Sequence, residues 1–144
     1  MLATLGASPP FAGPQAGEGR KDASAKTPLK VLVVDDIPEI CQLHERLVQL
    51  LGHEAQCLTD PRLALDEAKR FHADMVLLDI SMPGMDGWEV ARQLRADPAT
   101  HGIRLVAVTA LATPDDVRRS FQAGFDAHYR KPVSIEQWRE ILSP

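Results

Sequence analysis

Five side chains carry most of the chemistry this sequence offers, and each stands at the end of an apolar run. "VLVVDD" closes on Asp35 and Asp36, "MVLLD" on Asp79, "RLVAVT" on Thr109 and "AHYRK" on Lys131. A carboxylate costs several kcal/mol to desolvate unless it is paired or hydrated. Asp79, placed between four apolar residues and the turn-forming "SMPGMDG", is therefore expected to open into a polar space.

Three carboxylates brought together repel, and each disfavours ionisation of the others. A divalent cation resolves that conflict. An all-oxygen set with few protein donors suits Mg²⁺, which keeps several waters and bridges to phosphate oxygens. Lys131 adds a fixed positive charge and Thr109 a hydroxyl. A carboxylate nucleophile, a metal, a lysine and a hydroxyl suffice for phosphoryl transfer by positioning and electrostatics, with an aspartyl-phosphate as product. Taken singly, each residue has a plainer reading. Asp35 or Asp36 can cap a helix, Asp79 can form a turn, Thr109 suits a strand, and Lys131 before Pro132 suits a turn. What separates the readings is whether all of them share one edge.

The elements between these residues favour that arrangement. "LKVLVV" reads as a strand covered on both faces. "PEICQLHERLVQLLG" spaces Ile40, Leu43, Leu47, Leu50 and Leu51 at helical intervals and stops at Gly52. "EAQCL" is a second strand, and "DPRLALDEAKRF" is a helix with Asp60 as cap and Pro61 in its first turn. "MVLLD", "GWEVARQLRA", "RLVAVT" and "TPDDVRRSFQAG" continue as strand, helix, strand, helix, the last closing on Gly124. "AHYR" is a fifth strand. "SIEQWREIL" follows, with the capping-box pair Ser134 and Gln137. Five strands alternating with five helices predict an α/β fold, a five-stranded parallel sheet with helices on both faces. Ligands of such sheets gather outside the carboxyl ends of the strands.

Composition narrows the classes. The 144 residues, 44% of them hydrophobic, suit one domain with a core. A net charge of -4 gives no electrostatic reason to expect a nucleic-acid partner. No run of about 18 apolar residues exists to span a bilayer, and the start "MLATLGASPPF" lacks the basic region and apolar core of a signal peptide. Cys41 and Cys57 form no metal or CxxC spacing, so reduced thiols in a cytoplasmic protein are expected. Ala, Gly and Pro make up half of residues 1–28, which read as a flexible tail before a domain over residues 29–144.

In order, "VLVVDD", "VLLDISMPGMDG", "LVAVTA" and "HYRKPV" closely resemble the receiver domain of bacterial two-component response regulators, across residues 29–144. The resemblance implies a flavodoxin-like sheet of strand order 2-1-3-4-5. It implies that Asp79 accepts a phosphoryl group from a sensor histidine kinase or histidine phosphotransfer protein. By the same carry-over, Asp36, Asp79 and the Ser81 carbonyl bind Mg²⁺, with Asp35 acting through water. Thr109 and Lys131 contact the phosphoryl oxygens, Ala110 leaves room for them, and the bond before Pro132 is cis. No enzymatic activity is implied beyond the domain's own phosphorylation and dephosphorylation.

Departures from the family pattern matter too. The switch position three before the lysine, usually aromatic, holds His128, for which a satisfied strand histidine is the plain alternative. Tyr129 and Arg130 replace residues commonly aliphatic. "GFDAHYRKPV" looks more like receivers of hybrid histidine kinases than those of transcription factors. With nothing after Leu142 to form an output domain, the expectation is a standalone regulator or a receiver fragment of a hybrid kinase. Its downstream protein, or a second copy of the chain, would dock on helix four, strand five and helix five. Arg118, Arg119, Tyr129 and Arg139 are the candidates to be sensed there, and Trp138 is expected to pack inward as a reporter. An aspartate-nucleophile phosphatase of the haloacid dehalogenase type is an alternative, but it needs a second aspartate where this chain has Ser81. A flavodoxin-like cofactor carrier would need a glycine-rich phosphate loop in place of "DDIPEI".

Overall fold

Successive strand residues face opposite ways, and in this chain both sets are apolar. The computed structural model describes residues 27–143. Its strands are β1 (Lys30–Val34), β2 (Glu54–Leu58), β3 (Met75–Leu78), β4 (Arg104–Thr109) and β5 (Ala127–Arg130). They form one parallel sheet in the order β2-β1-β3-β4-β5. This is the predicted 2-1-3-4-5 arrangement. Except for Thr27 and Pro28, the tail expected over residues 1–28 lies outside the described residues.

The helices are α1 (Pro38–Leu50), α2 (Ala64–Phe71), α3 (Gly87–Ala96), α4 (Pro114–Ala123) and α5 (Ile135–Leu142). Leu32, Val34, Val76, Leu78, Leu105 and Ala107 face a core shared with α2, α3 and the end of α4. Val31, Val33, Met75, Leu77, Val106 and Val108 face a second core under α1 and α5. Burying both faces of a central strand explains why β1, β3 and β4 are nearly continuous apolar runs.

The predicted capping box forms at Ser134 with Gln137, and a second one, not foreseen, forms at Thr113 with Asp116. Gly124 closes α4 at a positive φ of 114°, a conformation that suits glycine. Asp60 caps as predicted, but the turn it starts, Pro61–Leu63, is a 3₁₀ helix leading into α2.

Two expectations need correction. The buried face of α1 is Cys41, His44 and Val48, while Leu43 and Leu50 are 52% and 72% exposed. Two neighbouring stripes of this helix both have a 3.6-residue period. The one with smaller side chains lies flat over the valines of β1, and His44 packs edge-on against the buried Trp138, ring centroids 5.0 Å apart. The second correction concerns the cysteines: Cys41 and Cys57 are joined as a disulfide, because α1 lies directly over β2.

Candidate functional site

Three strand ends at one edge of the sheet finish in the same small motif, a side-chain oxygen accepting the N–H two residues on. Asp35 Oδ1 accepts from Ile37 at 3.0 Å, Asp79 Oδ1 from Ser81 at 3.3 Å, and Thr109 Oγ1 from Leu111 at 3.2 Å. Such Asx and Ser/Thr turns bend the chain out of the sheet. The plain turn-forming reading of Asp79 is thus correct, whereas neither Asp35 nor Asp36 caps α1, whose N-cap is Ile37 without a side-chain cap bond. Each turn uses only one oxygen of its carboxylate.

The other oxygens converge. Lys131 Nζ donates to Asp35 Oδ2 at 2.7 Å and to Asp79 Oδ2 at 3.3 Å. One ammonium therefore bridges two carboxylates that are 2% and 6% exposed. Burial works against the charge on Lys131, but the hydrogen bond to Asp35 and the nearby charges of Asp79 and Asp35 outweigh it, so its pKa stands above the usual 10.5. Asp36 completes the cluster: ligand oxygens of Asp35, Asp36 and Asp79 all lie within 4.8 Å of one another. Three carboxylates against one ammonium leave an excess of negative charge in a partly buried pocket, the donor set of a hard divalent cation.

Backbone contacts hold these ends in place. Asp35 N–H donates to Leu58 O at 3.2 Å, Asp79 N–H to Val34 O at 3.0 Å, and Lys131 N–H to Thr109 O at 3.0 Å. The Lys131–Pro132 bond is cis, as the resemblance implied. Ser81 and Ala110 are exposed on the loops that leave β3 and β4, and Thr109 is fully buried. Gly87 was not foreseen as a site residue. A Cβ at this position would overlap the Asp79 carbonyl oxygen, so only glycine lets α3 start against the end of β3. Its signal in the sequence was the "DG" pair opening a helix, with Asp86 as the cap.

His128 lies half-buried on β5, its ring held on both sides. Nε2 is 2.8 Å from Leu111 O and Nδ1 is 2.9 Å from Ser120 Oγ. Ser120 in turn accepts from Trp88 Nε1 at 3.0 Å and donates toward Asp116 O at 3.1 Å. A line of contacts therefore runs from Thr109 through Leu111, His128 and Ser120 to Trp88. On the outer surface, Arg119 stacks over the Trp88 ring at 3.9 Å, Arg118 pairs with Asp115, and Tyr129 Oη donates to Glu140 at 2.7 Å. Of the four surface candidates, Arg118, Arg119 and Arg139 are exposed and Tyr129 is half-buried.

Known proteins share this fold. The model of the response regulator receiver domain matches residues 31–143. The chain is 37% identical over 109 residues to the gliding motility regulatory protein of Myxococcus xanthus, covering 76% of this chain but 14% of that protein. It is 33% identical over 112 residues to the polar-differentiation response regulator DivK of Brucella ovis, covering 78% of this chain and 91% of DivK. Among solved structures, Vibrio cholerae chemotaxis protein CheY4 superposes with a TM-score of 0.75 at 27% identity, covering 81% of this chain and 97% of that one. The receiver domain of sensor histidine kinase PA1611 from Pseudomonas aeruginosa, solved with a magnesium ion in its active site cleft, gives 0.73 at 28% identity, covering 81% and 95%. Matched over nearly all its described residues, the chain belongs to the response regulator receiver domain family and hence to two-component phosphorelay signalling.

Proposed function

We propose that Asp79 is the phosphoacceptor of this receiver, phosphorylated by a sensor histidine kinase or a histidine phosphotransfer protein. The observation that carries the reading is the single Lys131 ammonium shared by Asp35 and Asp79 beside Asp36. An Asp79 oxygen attacks the phosphorus of a phosphohistidine. The O–P bond forms, the P–N bond breaks, and the departing imidazole nitrogen takes up a proton. Lys131 is already within reach of the acceptor oxygen and offers a charge-assisted donor to the phosphoryl oxygens. Thr109 supplies a hydroxyl once its turn with Leu111 opens, and Ala110 leaves space beside it.

Asp36, Asp79 and the Ser81 carbonyl would hold Mg²⁺, with Asp35 acting through a water. When bound, the ion supplies neutralisation of the charge that builds on the transferring group. The domain proposed spans residues 29–144. We place the protein in the cytoplasm with its kinase; no helix among the described residues is long and apolar enough to cross a membrane. Its readout is a protein, or a second copy of the chain, docking on α4, β5 and α5, with no role for DNA. A receiver within a longer protein is the second reading, favoured by the Myxococcus relative, of which the chain spans 14%; the likeness to the receiver of a sensor histidine kinase supports a hybrid kinase as that protein. Incubation with acetyl phosphate or a phospho-kinase and Mg²⁺ tests the acceptor directly by intact mass: wild type gains one phosphoryl group and Asp79→Asn gains none.

A further inference from the structure

Cys41 and Cys57 take no part in the acidic site, yet they join two segments that support it. Cys41 ends the first turn of α1, directly after Asp35, Asp36 and Ile37; its N–H donates to Ile37 O at 2.9 Å, and it is fully buried. Cys57 is half-buried on the edge strand β2, next to Leu58, whose carbonyl accepts the Asp35 N–H. The two Cα atoms are 5.7 Å apart, well within disulfide range, and the sulfurs are bonded. The surroundings serve the reduced state equally well. Cys41 Sγ lies 3.4 Å from Val33 O and 3.6 Å from Leu58 O, acceptors that a thiol hydrogen can use and a disulfide sulfur cannot.

We propose that this pair is a reversible redox switch exchanging with low-molecular-weight thiols and disulfides, with Cys57 as the entry sulfur and Cys41 as the resolving one. The Cys57 thiolate attacks one sulfur of a small disulfide, forming a mixed disulfide and expelling one thiolate. Cys41 then attacks the Cys57 sulfur, closing the intramolecular bond and expelling the second thiolate. The protein loses two electrons and two protons, and the small disulfide is reduced to two thiols. Access sets the order, since an exchanging disulfide can reach the half-buried Cys57 but not the enclosed Cys41. Oxidation ties the first turn of α1 to β2, and reduction releases it. The cytoplasmic reading makes such a bond a sensor rather than a permanent staple, because reducing compartments keep disulfides transient. The exchange itself does not depend on Asp79.

The test takes the full chain through glutathione buffers of rising oxidised fraction, then alkylates free thiols and reads intact mass. Wild type is expected to pass, while folded, from both cysteines alkylated to neither. With oxidised glutathione, Cys41→Ser is expected to take one glutathionyl group at Cys57, and folded Cys57→Ser none. Amide exchange over residues 40–44 is expected to be several-fold faster in the reduced protein. The proposal fails if wild type keeps both thiols at every ratio, if the bond resists reduction until unfolding, if Cys57→Ser is modified as readily as Cys41→Ser, or if exchange in α1 ignores the redox state. Should the serine variants not fold, peptide mapping of wild type trapped during partial oxidation decides: glutathione on Cys57 supports the order and glutathione on Cys41 overturns it. The Asp79→Asn variant must give the same thiol results, which separates this outcome from the fate of the phosphoacceptor reading.

Discussion

His128 Nε2 lies 2.8 Å from the carbonyl oxygen of Leu111, the residue whose N–H is held by Thr109. The strand that carries the switch position is therefore tied to the loop that must move if Thr109 turns toward a phosphoryl group. Such a movement breaks the Thr109 turn and pulls the Leu111 carbonyl from His128, which frees the ring and its Ser120 contact together. On the proposed function, this region would have two packed arrangements, and phosphorylation of Asp79 would select between them by its differential contacts.

This linkage predicts that His128→Ala uncouples the α4–β5–α5 face from Asp79. Beryllofluoride, a phosphoryl mimic, should shift amide resonances of wild type from the site loops through residues 117–138. In the variant the shifts should end near Leu111, with a stability loss of about 1 kcal/mol for the lost hydrogen bonds. An unchanged pattern in the variant, or shifts confined to the loops in wild type, contradicts the linkage.

Phosphoryl lifetime depends on the residues flanking the path of the attacking water, proposed to be Ser81 and Leu111. Both are exposed, one a short hydroxyl and the other apolar, and neither suits the in-line orientation of water. Ser81→Asn combined with Leu111→Glu should speed self-dephosphorylation several-fold. An unchanged or slower decay rules the explanation out.

The buried His44 adds a pH dependence to stability. Burial disfavours its charged form, Lys131 adds to that effect, and Asp35 and Asp79 oppose it, so its pKa in the folded protein is below the ordinary 6.5. The unfolded chain then binds more protons below about pH 6.5. Stability contributed by this group is present above that pH and is lost as pH falls from there through the folded value. Urea midpoints at about pH 7.5 and about pH 5.5 should differ more for wild type than for His44→Phe. Equal differences would mean that other groups carry the effect.

Arg95 holds the opposite end of the sheet. Its guanidinium donates to the carbonyls of Gly124 at 2.9 Å, His101 at 2.7 Å and Ile103 at 2.5 Å, and to Asp126 at 2.9 Å. Arg95→Ala should cost about 2 kcal/mol in chemical denaturation, because charged hydrogen bonds are lost and carbonyls are left unpaired. Phosphorylation at Asp79 should be unaffected at temperatures where the variant is folded. A loss of phosphorylation without a loss of stability would contradict this division of labour.

Strand and helix order was legible because apolar runs of different period alternate so regularly, and because Thr113, Ser134 and Gly124 mark helix ends by their own chemistry. The gathering of Asp35, Asp79, Thr109 and Lys131 followed from one rule about parallel sheets. Other features depended on which neighbours the packing brings close. Ile40 and Cys41 each begin a stripe of helical period along α1, so leucine content alone did not separate Leu47 and Leu51, which pack against the core, from the exposed Leu43 and Leu50. The separation of Cys41 from Cys57 along the chain does not reveal that α1 crosses β2. The place of His128 was marked only by its offset from Lys131, and its partners Leu111 and Ser120 come from two different elements. Gly87 resembled any helix-opening glycine until the Asp79 carbonyl appeared against it.

Intact mass spectrometry after incubation with acetyl phosphate and Mg²⁺ tests the phosphoacceptor most directly. Wild type should gain the mass of one phosphoryl group, the gain should vanish on chelation of the metal, and Asp79→Asn should gain nothing while remaining folded by the fluorescence of its two buried tryptophans, Trp88 and Trp138. Wild type that stays unmodified with both acetyl phosphate and a phospho-kinase, or Asp79→Asn that gains the same mass, would contradict the assignment.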